Sequence, residues 1–394
     1  MVEVLANLSR GPVFLAGETI HCEISFHHPG PPSNTGRTES PRDNNRVTLA
    51  WASVQIICQC TVSESRVLLP RGPLPSTADV SSTGCDTSFV PNKGERGLTV
   101  LSTKPKILFC DLTLTAGQTK SFKFEDAIPT DSPPSYRGQA VKYSYKIIIG
   151  TQRFQQPTKL LRIPFRVLVL YGLNDLSVYN ETDEVAPSNP FLRPKQKENT
   201  ILDIATQVMA TVTARKSPHS YNITNSQGRV AKLLLFKQAF KLGDDIVGVF
   251  DFKDGTIPCV QYSVTLQSEE QISEECRQKM SQGSAITSYV KHQEMCLHVD
   301  ETHMSIPIPL TASPGFITDI VCLRWRLHFE FVTLCEPLDP AELMEIGEEF
   351  SSWRGPANIN VETMVWDLPI KIFPANPVHV SSVTMMKSAN TIKV

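Results

Sequence analysis

Three observations predict an all-β chain built as two tandem sandwiches: an internal repeat, a high proline count and few segments of helical period. The stretch VFLAGETIHCEISF at 13–26 returns as AFKLGDDIVGVFDF at 239–252, with Phe14, Gly17, Ile20 and Phe26 recurring as Phe240, Gly243, Ile246 and Phe252. Two more pairs follow in the same order. PPSYRGQAVKYSYKI at 133–147 becomes SPGFITDIVCLRWRL at 313–327, and IPFRV at 163–167 becomes LPIKI at 368–372. A repeat covering this much chain is a whole domain, not a blade or a helical hairpin. The 29 prolines in 394 residues suit short antiparallel strands joined by turns, and a 41% apolar fraction is enough for two cores.

The first unit is predicted over 1–170, with strands at Ile20 to Phe26, Trp51 to Val62, Lys106 to Leu114, Lys142 to Gly150 and Leu160 to Leu170. Trp51, Val54, Ile56, Cys58 and Cys60 nearly alternate, as a strand with one face on a core requires. Pro164 lacks the N–H that a ladder needs, so its strand should lie at an edge or carry a bulge; Pro369 repeats the device. The polar stretches 27–46 and 70–98, rich in Pro, Gly, Ser and Asn, are expected to be surface loops.

A linker is expected over 171–227, too long for a simple connection. Within it, TILDIATQVMATVTARK at 200–216 sets Ile201, Ile204, Ala205, Val208 and Val212 at helical spacing. Thr200 and Asp203 resemble a capping box, and Arg215 with Lys216 suits a helix end. The stripe either packs on the chain's own domains or docks on a partner. Ile201, Ile204, Val208 and Val212 are therefore candidate partner contacts. The second unit is predicted over 228–375, with strands at Lys232 to Lys241, Asp245 to Phe252, Cys259 to Gln267, Glu294 to Val299, Ile320 to Thr333 and Met364 to Phe373, and insertions at 268–292 and 335–360. Residues 376–394 are expected to form a flexible tail.

A formal net charge of -2 gives no broad pull toward nucleic acid or an anionic membrane, so recognition must be local. Residues 1–20 contain Glu3, Arg10 and Glu18 and no apolar run of signal-peptide length, and no segment approaches a bilayer span. A cytoplasmic protein is the expectation. The 10 cysteines then read as reduced thiols rather than a disulfide framework, and the glycosylation-like triplets at Asn7, Asn180 and Asn222 as unmodified.

Neither half contains a phosphate-cradling glycine loop, a nucleophile elbow or a zincin pair, so no catalytic residue and no cofactor site is assigned. His292, Cys296, His298 and His303 are four metal-capable side chains within twelve residues. On a continuous strand Cys296 and His298 would share a face opposite to His303, so no metal site is assigned. Cys58 and Cys60 read as core cysteines. Pro133 to Tyr136 spells the PPxY ligand of WW domains, but the matched SPGF in the second unit points instead to paired core aromatics that begin a strand. EPLDPAELMEIGEEF at 336–350 carries six acids and no base, with Leu343, Ile346 and Phe350 at helical spacing. It is either a solvated loop or a segment read by a basic partner, which adds Leu343 and Ile346 to the candidate contacts.

The tandem sandwiches, the G-(E/D) turn near each start and the Pro-x-aromatic step into a late strand resemble the arrestin fold. Within that superfamily RGPVFLAGE (10–18), LAWAS (49–53), ESRVLLP (64–70), PKILFCDL (105–112), PPSYRGQAVKYSYK (133–146), EVAPSNPFL (184–192), SIPIPL (305–310) and LRWRLHFEFVT (323–333) resemble the Rgp family, over nearly the whole chain. The resemblance implies two arrestin-like, immunoglobulin-type β-sandwiches. It also implies the smaller, noncatalytic subunit of a Golgi Rab guanine-nucleotide-exchange complex. Such a subunit pairs with a larger propeller-containing protein, is recruited peripherally to Golgi membranes and serves retrograde transport, with no nucleic-acid or small-molecule partner. The competing expectation is an arrestin-like adaptor that holds the tails of membrane proteins.

Overall fold

The computed structural model of the chain describes residues 1–30, 46–69, 97–170, 200–214, 217–279, 283–336, 344–346, 351–353, 358–383 and 390–394. Strands are numbered in chain order. The first unit pairs β1 (Glu3–Leu8), β3 (Thr19–His27), β7 (Thr119–Ala127) and β23 (Thr391–Lys393) in a four-stranded sheet of order β23-β1-β3-β7. Its larger sheet runs β2 (Val13–Leu15), β10 (Lys159–Leu168), β9 (Val141–Arg153), β4 (Arg46–Val62) and β5 (Leu98–Ser102). There β6 (Lys106–Thr115) also pairs with β4, and β8 (Tyr136–Arg137) pairs with β9.

The second unit repeats the plan. Its four-stranded sheet is β11 (His219–Thr224), β12 (Arg229–Leu235), β14 (Asp245–Asp251) and β17 (Glu301–Pro307). Its larger sheet is β13 (Ala239–Lys241), β22 (Val361–Phe373), β19 (Val321–Leu334), β15 (Cys259–Ile272) and β16 (Ser284–Met295), with β18 (Phe316–Ile317) on β19. The predicted fold class of tandem sandwiches is therefore what the chain adopts.

The repeated residues have matched jobs. Gly17 and Gly243 turn the chain with φ of 91° and 84°, a left-handed conformation that glycine reaches without strain. Beside each, a carboxylate accepts the amide three residues back: Glu18 from Leu15 at 2.6 Å, Asp244 from Lys241 at 3.1 Å. Pro164 and Pro369 lie opposite Lys146 and Arg326 of their antiparallel neighbours. The parallel outer strands join only at Arg166 and Lys371, so each proline faces the side that needs no amide. In β19 the residues Leu323, Trp325, Leu327, Phe329 and Phe331 point inward and are buried, as period-two alternation dictates.

Several boundaries differ from expectation. The span Lys232 to Lys241 is broken between β12 and β13, because the chain there leaves one sheet for the other. The supposed insertion at 268–292 holds the end of β15 and most of β16, paired from Gln261–Met295 to Gln271–Ser284. Residues 296–300 are a turn rather than the end of a strand. The second unit begins before 228, since β11 completes its smaller sheet. The tail expected at 376–394 is structured where described: α2 (Pro377–Val383) packs near β2, and β23 adds to β1 with Glu3 opposite Lys393. The open edge of β1 supplies the reason, since its amides and carbonyls accept a strand and Val394 becomes buried. Most of the loops at 27–46 and 70–98 falls outside the described residues.

Candidate partner interface

The two units meet through the positions that the repeat makes equivalent. Tyr136 on β8 and Phe316 on β18 pack edge to face, with centroids 4.9 Å apart. Tyr136 is 8% exposed, so the PPSY string lies inside the seam and displays no tyrosine to a WW domain. The Tyr143 and Thr318 hydroxyls are 3.0 Å apart across the same seam. Burial raises the Tyr136 and Tyr143 phenols well above their ordinary range, and the charge of Glu270 adds to the effect at Tyr136.

Glu270 is the polar centre of this seam. Its side chain is 3% exposed and accepts backbone amides of Gln139 at 2.7 Å, Ala140 at 3.2 Å and Val141 at 3.1 Å. A Cβ on Gly138 would stand 2.3 Å from a Glu270 oxygen, which is why the turn between β8 and β9 carries glycine there. Arg166 closes the other side: its guanidinium donates to the carbonyls of Ala312 at 2.6 Å and Leu310 at 3.5 Å, and burial lowers its pKa. Sequence reading missed both residues. The signal for Glu270 was its inward phase with Leu266 and Ile272 on β15; for Arg166 it was the cation after a matched proline.

The linker helix forms as predicted, as α1 (Ile201–Val212), with Thr200 Oγ1 accepting the Asp203 amide and the Asp203 carboxylate accepting that of Thr200. Its apolar stripe is taken up by the chain itself. Ala205 and Met209 join a core containing Val13, Leu15 and Leu168 of the first unit and Phe240 of the second. Ile204 and Val208, expected as candidate partner contacts, are buried and present no surface, Val208 being 1% exposed. Ile201 stays 38% exposed and Val212 half-buried. Val212 lines two adjoining hollows of about 450 and 490 Å³.

The acidic stretch departs from the expected helical spacing. Met344–Ile346 is a strand, β20, paired with β21 (Ser351–Trp353) rather than part of a helix. Leu343 and Phe350 lie outside the described residues. Cys58 and Cys60 are buried, which pushes their thiols up to about 12 and about 11. His292 approaches the Tyr262 hydroxyl at 3.2 Å, Cys296 is buried against the Cys259 carbonyl and His303 sits on β17 opposite Val249. His298 is in the intervening turn with φ of 64°. Among the described residues no three metal-capable side chains are gathered. No helix among them is long and apolar enough to cross a membrane.

The comparisons with known proteins cover the whole of this architecture. The family model described as Rgp1 matches residues 87–175 and 174–334. A human protein named RAB6A-GEF complex partner protein 2 is 44% identical over 405 residues, spanning 100% of both chains. The protein of the same name from Bos taurus is 45% identical over 382 residues, 94% of this chain and 93% of its own. A match that crosses both sandwiches, the seam and the helix leaves one conclusion: the chain belongs to the Rgp1 family.

Proposed function

We propose that this chain is the noncatalytic partner subunit of a heteromeric Rab guanine-nucleotide-exchange factor. It pairs with a larger, propeller-containing subunit, is recruited peripherally from the cytosol to Golgi membranes, and serves endosome-to-Golgi and intra-Golgi retrograde transport. The observation that carries the reading is end-to-end likeness, at 44% identity, to a protein named as the partner in a RAB6A exchange complex. The built-in rigidity of the seam fits a scaffold role. Glu270, Arg166 and the Tyr136–Phe316 pair fix one unit against the other, so a partner meets a single preformed surface.

Exchange makes and breaks no covalent bond. It requires a surface that binds the empty GTPase more tightly than the loaded one, each tenfold preference corresponding to about 1.4 kcal/mol. Such work needs no nucleophile or acid-base pair from this chain. Ile201 and Val212 on α1, with the acidic segment around Leu343 and Ile346, are its proposed contacts with the larger subunit. The test is release of a fluorescent nucleotide from a Golgi Rab. The chain alone should leave the rate at its spontaneous value, and the co-purified pair should raise it. Substantial exchange by the isolated chain would overturn the noncatalytic assignment, and failure to recover any larger partner would overturn the subunit assignment.

A further inference from the structure

On the outer face of β19 and β22 the ionisable side chains have partners up to the final step. Lys291 is 3.1 Å from Glu330, His328 is 2.7 Å from Asp367 and Arg326 is 3.1 Å from Asp367. Since Trp325 stands opposite Ile370 and Arg326 opposite Pro369, the next residues on this face are Arg324 and Lys371. Both are exposed. Glu269 of β15 stands opposite Arg324 but makes no ion pair with it, and Lys371, with Ala239 opposite it on its other side, has no acid beside it in register. Like charges on neighbouring strands repel, and with Glu269 the acid opposite Arg324 this end of the ladder keeps an excess of positive charge.

The same two cations line an apolar trough. The two hollows beside Val212 hold Pro369 and Phe373 in common, and the first also holds Arg324, Phe316 and the 49% exposed Ile317. The repeat shows what this place does elsewhere in the molecule. IPFR at 163–166 aligns with LPIK at 368–371, which makes Lys371 the counterpart of Arg166. Arg166 is buried because the second unit lies against it and offers carbonyl oxygens. Lys371 occupies the same place on the second unit and is uncovered.

We infer that this trough seats an acidic, aliphatic segment of the larger subunit, with carboxylates on Arg324 and Lys371 and aliphatic side chains beside Val212, Ile317 and Phe373. The inference rests on the partner-subunit reading and adds to it a surface and a chemistry. Charge selects the occupant: a basic segment would be repelled, and a purely apolar one would desolvate two cations without pairing them. The contact weakens with salt, because its ion pairs lie near the surface.

The experiment uses the full chain co-purified with its larger subunit. A benzophenone amino acid at position 317 is expected to crosslink to a partner peptide rich in Asp and Glu. The Arg324→Glu/Lys371→Glu variant should fold normally by circular dichroism, lose that crosslink and bind the larger subunit at least tenfold more weakly. Lys123→Glu on the exposed face of β7 should change neither readout. Arg324→Gln/Lys371→Gln should lie between, with a flatter salt dependence, and serves if the reversal perturbs folding. A stable pair that shows no crosslink at 317, or binding unaffected by both double variants, would overturn the trough while leaving the subunit assignment standing. A crosslink to this chain's own acidic segment at 336–350 would overturn the occupant. Absence of any pair would overturn both readings.

Discussion

The two sandwiches share one plan and differ in what completes them. In the second unit the outer strand of the smaller sheet, β11, is supplied by the residues just before β12. In the first, the equivalent strand β23 is supplied from residues 391–393, nearly four hundred positions from β1. Glu270 of the second unit and Cys60 of the first are also equivalent, because they stand opposite Leu323 and Tyr143 on matched strands. One reaches across the seam to three amides; the other fills its own core. Duplication of a fold therefore left matched backbones, while single side chains at matched positions came to join the copies.

Glu270 offers the most severe test of that contrast. Glu270→Ala strands three amides at the seam, at about 1–3 kcal/mol for each buried donor left unmade, so a loss of roughly 3–5 kcal/mol is expected. Cys60→Ala removes one small buried group and should cost about 1–2 kcal/mol. Urea unfolding of the two variants measures both values. Equal losses would mean that the seam carbonyls and amides find other partners and that Glu270 is not its anchor.

Removal of residues 390–394 probes the borrowed strand. Val394 is buried and Ile392 packs on the first core, so their removal together with the β1 pairing is expected to cost about 1–3 kcal/mol, the usual range for losing a few buried contacts. The loss should be confined to one unit. Amides of Val2 and Ala6, which bond to Val394 and Asn390, should lose hydrogen-exchange protection, while those of β12 keep theirs. Equal deprotection of β12 would show that the two units unfold as one.

The matched glycines give a smaller and graded effect. A Cβ at Gly243 would stand 2.8 Å from Leu310, and at Gly17 3.0 Å from Thr130, the equivalent neighbour. Each alanine substitution should cost about 1–2 kcal/mol for the left-handed backbone, with Gly243→Ala the worse because the half-buried Leu310, packed on the second core, must also move. Thermal melts of the two variants rank them. A reversed order would mean that the turn in the first unit, where Glu18 also holds Arg10 at 2.8 Å, is the stiffer one.

These pairs also show how much could be read from residues alone. Repetition marked the strands whose alternation is strong, such as β19, and the turn glycines, because burial on one face forces a period of two. Besides β2, β5 and most of β16 in the larger sheets, it missed β1, β7, β11 and β17. The four strands lie in the smaller sheets, where polar outer faces interrupt the apolar run. It also missed β23, since pairing between residues so distant leaves no local pattern. Of the six candidate contacts, Ile201 and Val212 stay at a surface and Ile204 and Val208 do not. Helical spacing identifies an apolar stripe but not the body that covers it. Glu270 and Arg166 were legible only as a carboxyl and a cation at inward or matched positions, and their function depends on a seam that no single unit contains.

The last contrast concerns acid. Glu330 on β19 accepts Ser263 at 2.8 Å and sits 3.1 Å from Lys291, which together hold its carboxyl below the usual carboxylate range, the serine bond contributing most. Its equivalent in the first unit is Gly150, which cannot titrate. A folded pKa below the unfolded value of about 4.3 adds stability that is complete above that pH and is lost as pH falls through the lower folded value. Glu330→Gln should therefore lower stability slightly at neutral pH, and the difference from the parent chain should shrink as pH falls below about 4.3. Because the carboxyl is partly exposed and screened, the effect is the smallest of the four. Urea midpoints taken from pH 7 down to pH 3 check it. A difference that stays constant across that range would mean that the serine and lysine contacts contribute packing alone, and that the charged ladder of the second unit is electrostatically silent.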